Sequence, residues 1–308
     1  MRKEPLAFVS VIVPVYNGES TIVKCVESLL AQDYPPGKFE ILILDNGSKD
    51  ETIKQLQPFI KDNKIKCLSE TKILNAYGAR NTGAKAAKGD LFAFTDADCF
   101  AEKNWLSELL KDAGDENIGA FIGDILAYEP KTALEKYYAA SMSLRNKKEK
   151  PFPGMRGGNC ALRRHCFNLL QGFNAHAASG GDSDFLKRMI LTTHYTYKLE
   201  LDAIVFHKNP EKLKTVFKRY LRFGSTMYLL KGDAFLGARY MPLTKNLTAL
   251  LQNLAALLLR GLVLLSFRKT YRGRPIRDRR LFLMEPVIRM IELTGRFLGR
   301  AFKNLKFR

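Results

Sequence analysis

The chain has 308 residues, 46% of them hydrophobic, which is enough to bury one large core plus an appendage, and its net charge is +19. Its five cysteines are odd in number and include no Cys-x-x-Cys pair, which argues against a disulfide framework and a zinc site. Met1-Arg2-Lys3-Glu4-Pro5 runs within a few residues into an apolar strand, so no separate signal peptide or amino-terminal anchor is expected.

The first predicted element is Val9-Ser10-Val11-Ile12-Val13-Pro14-Val15-Tyr16-Asn17, a β-branched run closed by a turn. From Ser20 onward, apolar residues at Ile22, Val23, Val26, Leu29 and Leu30 give an amphipathic helix. After Asp33-Tyr34-Pro35-Pro36-Gly37 a second strand, Phe39 to Leu44, ends at Asp45-Asn46-Gly47-Ser48, which completes a βαβ unit with Asp45 at the exit. A carboxylate there can accept hydrogen bonds from ribose hydroxyls or a base N–H, but no Gly-x-Gly-x-x-Gly follows the first strand, which argues against NAD or FAD. Ser48 with Glu51 three residues on matches a capping box, and a helix cap is the favoured role for Ser48.

Leu91-Phe92-Ala93-Phe94-Thr95-Asp96-Ala97-Asp98 is an apolar run ending in two carboxylates one residue apart. Such a run suits a strand covered on both faces, and ligands in open α/β sheets bind beyond the carboxyl ends of such strands. If the strand continues through them, Asp96 and Asp98 point the same way and offer two oxygen ligands to Mg²⁺ or Mn²⁺. Taken alone, Asp-x-Asp is also a common surface turn.

Val13-Pro14-Val15-Tyr16-Asn17, Leu44 to Thr52, Ala79-Arg80-Asn81-Thr82-Gly83 and Thr95-Asp96-Ala97-Asp98 together resemble the family 2 glycosyltransferases of the GT-A fold. The likeness continues through Gly157-Gly158-Asn159-Cys160-Ala161-Leu162-Arg163-Arg164 and Gly180-Gly181-Asp182-Ser183-Asp184-Phe185 to Val205-Phe206-His207, about two thirds of the chain. The resemblance implies a Rossmann-like, mainly parallel sheet flanked by helices, and an inverting transfer of a sugar from a nucleotide diphosphate, with uridine as the family lean.

It also implies roles. Pro14, Tyr16 and Asn17 shape the nucleoside pocket and Asp45 accepts from the base. Arg80 brings a planar fork of donors to phosphate or base, with Asn81 nearby. Asp98 is the direct metal ligand, Asp96 meets the ribose or the metal through water, and His207 is a further metal ligand or a structural histidine. Gly158, Asn159 and Asp184 fall in blocks that meet the donor or acceptor sugar. Asp182 aligns with the general base, although Gly181 replaces the Glu usual before it, and Asp184 is the alternative base. Asp182 also suits a helix amino terminus, where its charged form is stabilised.

Asn146 to Gly154 reads as a polar, Pro/Gly-containing loop suited to ordering over bound donor. From Lys208 to Arg308 there are 23 Lys and Arg against 5 Asp and Glu, so this third carries +18 of the total +19. Pro210 to Leu230 has helical spacing. Leu247 to Phe267 is long enough to span a bilayer, but Gln252, Asn253 and Arg260 interrupt it, which favours a helix in the membrane interface or packed on another helix. A basic cluster at Arg268, Lys269, Arg272, Arg274, Arg277, Arg279 and Arg280 leads into a second basic amphipathic helix from Leu281, kinked or started at Pro286.

The division expected is a catalytic domain over 1–207, with a nucleotide-sugar half to about residue 100 and an acceptor half after it, then a membrane-associating helical region over 208–308. The function expected is a metal-assisted transferase at the cytoplasmic membrane face, acting on a lipid-linked or membrane-proximal glycan acceptor. The alternatives are a soluble transferase and a non-catalytic basic scaffold. Nucleic acid is disfavoured because the tail is rich in long aliphatic residues rather than in stacking aromatics.

Overall fold

The computed structural model describes residues 7–140, 142–144, 154–177, 179–226, 243–265, 270–271, 274–275 and 279–301. The chain divides into two compact units, Met1–Tyr128 with Met142–Lys208, and Glu129–Ser141 with Asn209–Arg308. The second unit thus takes in Glu129–Ser141, which a single cut after residue 207 places with the first.

In the first unit the elements run β1 (Val9–Val15), α1 (Ile22–Leu30), β2 (Phe39–Asp45), α2 (Thr52–Lys61), β3 (Lys66–Ser69), α3 (Ala76–Ala86), β4 (Leu91–Thr95), β5 (Cys99–Ala101), α4 (Trp105–Leu109) and β6 (Ile118–Ala127). After α5 (Ala133–Ala139), which belongs to the second unit, come β7 (Asn159–Arg163), α6 (Arg164–Leu169), α7 (Gly181–Thr192) and β8 (Thr196–His207). They form one sheet of order β3-β2-β1-β4-β7-β6-β8-β5, parallel from β3 to β4 and antiparallel where β4 meets β7.

β2 lies on one side of β1 and β4 on the other, so the strand order reverses at β1 and a ligand crevice is expected beyond the carboxyl ends there. The registers open that crevice. β1 stays paired with β2 as far as Val15↔Asp45, but with β4 only as far as Ile12↔Phe94. Pro14, which has no N–H to give to a ladder, falls just past the last β4 pairing, where its loss costs nothing.

Both faces of the sheet are covered, which is why β1 reads as a continuous apolar run rather than an alternation. Val9, Val11 and Val13 pack with Ile22, Val26 and Leu29 of α1, whereas Ile12, Leu42 and Leu44 pack with Ala79 of α3 and Phe167 of α6. α3 approaches the sheet closely at Gly83, where a Cβ would lie 2.6 Å from Ile12 Cγ2 and 2.7 Å from Leu44 Cδ2.

Two local expectations are corrected. β4 ends at Thr95, so Asp96 and Asp98 do not share a strand face. They sit in a reversal closed by the Cys99 amide donating to Asp96 O at 2.9 Å, and the chain turns at once into β5. Nor is there a capping box at Ser48. α2 starts at Thr52 behind Glu51 with no side-chain cap, and the Ser48 hydroxyl instead accepts the Asn17 amide at 2.9 Å. The box that does form is Thr132 with Glu135, at the start of α5.

The second unit contains α5, α8 (Leu213–Thr226), α9 (Leu243–Leu265), the short strands β9 (Thr270–Tyr271) and β10 (Arg274–Pro275), and α10 (Arg279–Ala301). Its core is Leu134, Tyr138, Val216, Tyr220 and Ile288. α8 and α10 cross at two glycines: a Cβ on Gly224 would fall 2.1 Å from Arg296 O, and one on Gly295 would fall 2.9 Å from Tyr220 Cβ. α10 runs through Pro286 instead of starting there. Arg260 of α9 pairs with Glu285 of α10 at 2.8 Å, so the charge that interrupts the apolar run is satisfied by helix packing. Among the described residues no helix is long and apolar enough to cross a membrane. Most of the expected donor-covering loop, and Arg268, Lys269, Arg272 and Arg277 of the basic cluster, lie outside the described residues.

Candidate active site

The loops after β1, β2 and β4 meet at the open end of the crevice. Asn17 takes a left-handed conformation at φ 53°, its side-chain oxygen accepts the Lys49 amide at 2.8 Å, and its own amide donates to Ser48, so the β1 and β2 loops are clamped together. Asp45 closes its own turn by accepting the Gly47 amide at 3.3 Å and the Ser48 amide at 3.0 Å. The turn needs glycine at 47, where φ is +80°. Each Asp45 oxygen keeps a lone pair for a ligand. Tyr16 is 45% exposed beside this turn, whereas Pro14 is buried within β1.

Gly18 connects this patch to the acidic reversal, since a Cβ placed there would touch Ala97 Cβ at 3.8 Å. Asp96, Asp98 and the thiol of Cys99 offer ligand atoms all within 4.8 Å of one another. The two carboxylates suit a hard divalent ion. Cys99 is fully buried, and burial, reinforced by the charges of Asp98 and Asp96, holds its thiol well above the usual range. His207 lies opposite Cys99 in the β5–β8 ladder, with Nε2 3.5 Å from Asp98 Oδ2 and Nδ1 buried without a protein partner. An imidazole beside a carboxylate fits a metal-binding role. The residues present therefore fit Mg²⁺ or Mn²⁺.

Asp96 is divided between two tasks. One oxygen is ion-paired with Arg80, which is only 4% exposed, and the other faces Gly158, where a Cβ would come within 3.0 Å. Burial opposes the Arg80 charge, but Asp96, Tyr77 and Asp182 outweigh it and raise its pKa further. Arg80 is therefore a permanent buried cation. Its guanidinium lies against Gly157, where a Cβ would collide with Cζ at 2.7 Å. The Gly157-Gly158 pair is thus the floor of the site, bare because Arg80 and Asp96 press against it.

Asp182 closes the array from the far side. It lies in the first turn of α7, after Gly180 as the capping residue, so it sits one step inside the helix rather than at the cap. Its Oδ2 accepts the Gly157 amide at 2.8 Å, and its Oδ1 accepts the Ser183 amide at 2.9 Å and the Tyr77 hydroxyl at 3.3 Å.

Three predicted residues are engaged elsewhere. Asn81 uses both ends of its amide on the backbone of Phe173, at 2.9 and 3.0 Å. Asn159 is fully buried; it accepts from Trp105 Nε1 at 2.8 Å and donates to Asp124 O at 2.7 Å and Ala203 O at 2.8 Å, tying α4, β6, β7 and β8 together. Asp184 holds Arg188 at 2.9 Å, and Arg188 in turn braces the carbonyls of Leu170 and Gly172.

Two site residues were missed from sequence. Tyr77 reads as an ordinary core aromatic at the start of a helix, and only its position three residues before Arg80 hints otherwise. Arg156, immediately before the glycine pair, is half-buried; burial lowers its pKa while Asp124 and Asp182 oppose that shift.

The chain matches the family model described as Glycosyl transferase family 2 over residues 10–170. Glycosyltransferase AglE of Haloferax volcanii is 33% identical over 59% of this chain and 61% of its own length. The Escherichia coli UDP-Glc:alpha-D-GlcNAc-diphosphoundecaprenol beta-1,3-glucosyltransferase WfgD is 33% identical over 45% of this chain and 54% of its own. The matches thus span less than two thirds of either relative. Among solved structures, the mannosyltransferase PcManGT from Pyrobaculum calidifontis in complex with GDP-Man and Mn²⁺ aligns over 98% of this chain and 89% of its own, with a TM-score of 0.67 at 19% identity. With the family match extending over more than half of its length and a GT-A fold beneath it, the chain belongs to glycosyl transferase family 2.

Proposed function

We propose that this enzyme transfers a sugar, with inversion, from a nucleoside diphosphate donor to a hydroxyl of a lipid-linked acceptor at the cytoplasmic face of a membrane. The observation that carries the reading is the continuous array His207–Asp98–Asp96–Arg80–Tyr77–Asp182 around the Gly157-Gly158 floor at the switch point of the sheet. Asp45, with Tyr16 and Asn17 framing it, receives the base; a uridine donor is the lean, and the GDP-Man complex of PcManGT makes a guanosine donor the alternative. Asp98, with Asp96 and His207, would hold Mg²⁺ or Mn²⁺, which when bound offsets the charge on the departing diphosphate.

Arg80 fixes Asp96 and adds positive potential under the phosphates, leaving Asp182 to act on the acceptor. The acceptor oxygen attacks the anomeric carbon, the bond from that carbon to the diphosphate oxygen breaks, and the hydroxyl proton passes to Asp182.

The lipid acceptor is supported by the name of WfgD, which acts on a diphosphoundecaprenol-linked sugar, and by α9. That helix leaves Leu251, Leu254, Leu258 and Leu259 exposed on a basic tail, a combination suited to an anionic bilayer surface. Five free cysteines accord with a reducing compartment.

The test is Asp182→Asn. It should leave metal-dependent donor binding within a few-fold while lowering turnover by about 10² or more, because only the proton acceptor is lost. If Asp184→Asn gives that pattern and Asp182→Asn does not, the base is misassigned.

A further inference from the structure

Gly181 stands where the family resemblance leads to an acidic residue, and the structure packs an aromatic ring tightly against that position. A Cβ there would lie 3.0 Å from Tyr77 Cε2 and 3.1 Å from Cδ2 and Cζ, so the aromatic ring occupies the space. Tyr77 is itself firmly placed. Asn75 caps α3 by accepting the Tyr77 amide at 3.0 Å and the Gly78 amide at 2.9 Å, and the ring packs against Phe173 with centroids 5.7 Å apart. From this seat the hydroxyl donates to Asp182 Oδ1, while the Arg80 guanidinium carbon lies 5.4 Å from the ring centroid. Burial, reinforced by the charge of Asp182, raises the Tyr77 hydroxyl well above its usual range, so it remains a donor at working pH.

We propose that Tyr77 is a positioning residue for Asp182: a ring seated on the bare Gly181 directs its hydroxyl to one carboxylate oxygen and holds the base aimed at the acceptor. The inference rests on Asp182 being the base. Its physical content is an orientation. With Gly157 N–H on Oδ2 and Tyr77 and Ser183 on Oδ1, the carboxylate plane is fixed from α7, α3 and the glycine floor, and rotation away from the acceptor would break two hydrogen bonds to other parts of the fold. Gly181 favours this seat, since a Cβ there would make the ring give way by a few tenths of an ångström. The charged and titratable groups facing Asp182 are Tyr77 and Arg80 from α3, Arg156 from the segment before β7 and Cys160 from β7. Loss of the tyrosine hydroxyl therefore removes a donor to the charged form while the nearby cations stay in place.

The experiment compares Tyr77→Phe, Gly181→Ala, the double variant and Asp182→Asn in the full chain, with melting temperature as the check on folding. Tyr77→Phe keeps the ring and should lower kcat by about tenfold with donor KM within about twofold. Gly181→Ala should lower kcat similarly, and adding Tyr77→Phe to it should cost less than the product of the two, because the displaced hydroxyl is already lost. Wild-type kcat, or a loss carried by donor KM instead of kcat, in a folded Tyr77→Phe enzyme overturns the inference. Wild-type turnover in Asp182→Asn overturns instead the reading on which it rests.

Discussion

Asp96 and Asp98 stand one residue apart and meet different surroundings. Asp96 spends one oxygen on a buried arginine, whereas the Asp98 carboxylate is 45% exposed and faces His207. The buried pair sets the first prediction. Arg80→Lys keeps the charge but replaces a planar fork by a single ammonium, in a site where Gly157 accommodates a flat group, and should lower kcat/KM for donor by about 10²; a loss below threefold would show that only the charge matters. The second concerns His207, whose Nδ1 is buried without a protein partner. His207→Ala should raise the Mn²⁺ concentration needed for half-maximal activity by about tenfold, with little change in kcat at saturating metal; an unchanged metal requirement would make it a structural histidine. At this scale the sequence was most legible where a motif residue ends a strand, as at Asp45 and His207. It was least legible for amides. Asn81 and Asn159 sit inside recognisable blocks, yet their partners, Phe173 and the Trp105, Asp124 and Ala203 groups, are remote in sequence.

Among the elements, β1, α1, β2 and β4 were readable because a run covered on both faces is apolar throughout and a helix repeats every three to four residues. The reversal after Thr95 was not. Nothing in the Thr95-Asp96-Ala97-Asp98 string announces that pairing with β8 will capture Cys99–Ala101 as a separate strand. Ser48 misled for a related reason: a hydroxyl that matches a capping box locally found a better partner in the Asn17 amide of the neighbouring β1 loop. The fully buried Asn159 of β7 ties α4, β6 and β8 together. Asn159→Ala would strand the Trp105 indole N–H and two carbonyls, and should destabilise the fold by about 2–4 kcal/mol. Urea unfolding measures this, and a wild-type midpoint would mean that neighbours or water replace the amide.

For the whole molecule, the uneven charge was plain in the sequence, but the role of the segment Glu129–Ser141 was not. Leu134 and Tyr138 of α5 share a core with Val216, Tyr220 and Ile288, and Tyr138 donates to Glu292 at 3.0 Å. Truncation after residue 208 would expose that segment and confuse instability with loss of membrane binding. Point variants separate the two. Replacing exposed Leu251, Leu254 and Leu258 of α9 by Ser should weaken binding to anionic vesicles by about tenfold or more and leave donor affinity unchanged. High salt should weaken, without abolishing, the binding of the unaltered chain. Undiminished vesicle binding by the triple variant would remove α9 from the attachment surface.

The central claim is that the acidic reversal after β4 makes donor binding depend on a divalent ion. Calorimetric titration of a panel of nucleotide sugars into the full chain, with Mn²⁺ and with chelator, tests it directly when repeated on Asp98→Ala. The account predicts donor binding by the unaltered chain that requires Mn²⁺, and its loss in Asp98→Ala at an unchanged melting temperature. Metal-dependent donor binding of undiminished affinity in Asp98→Ala would contradict it.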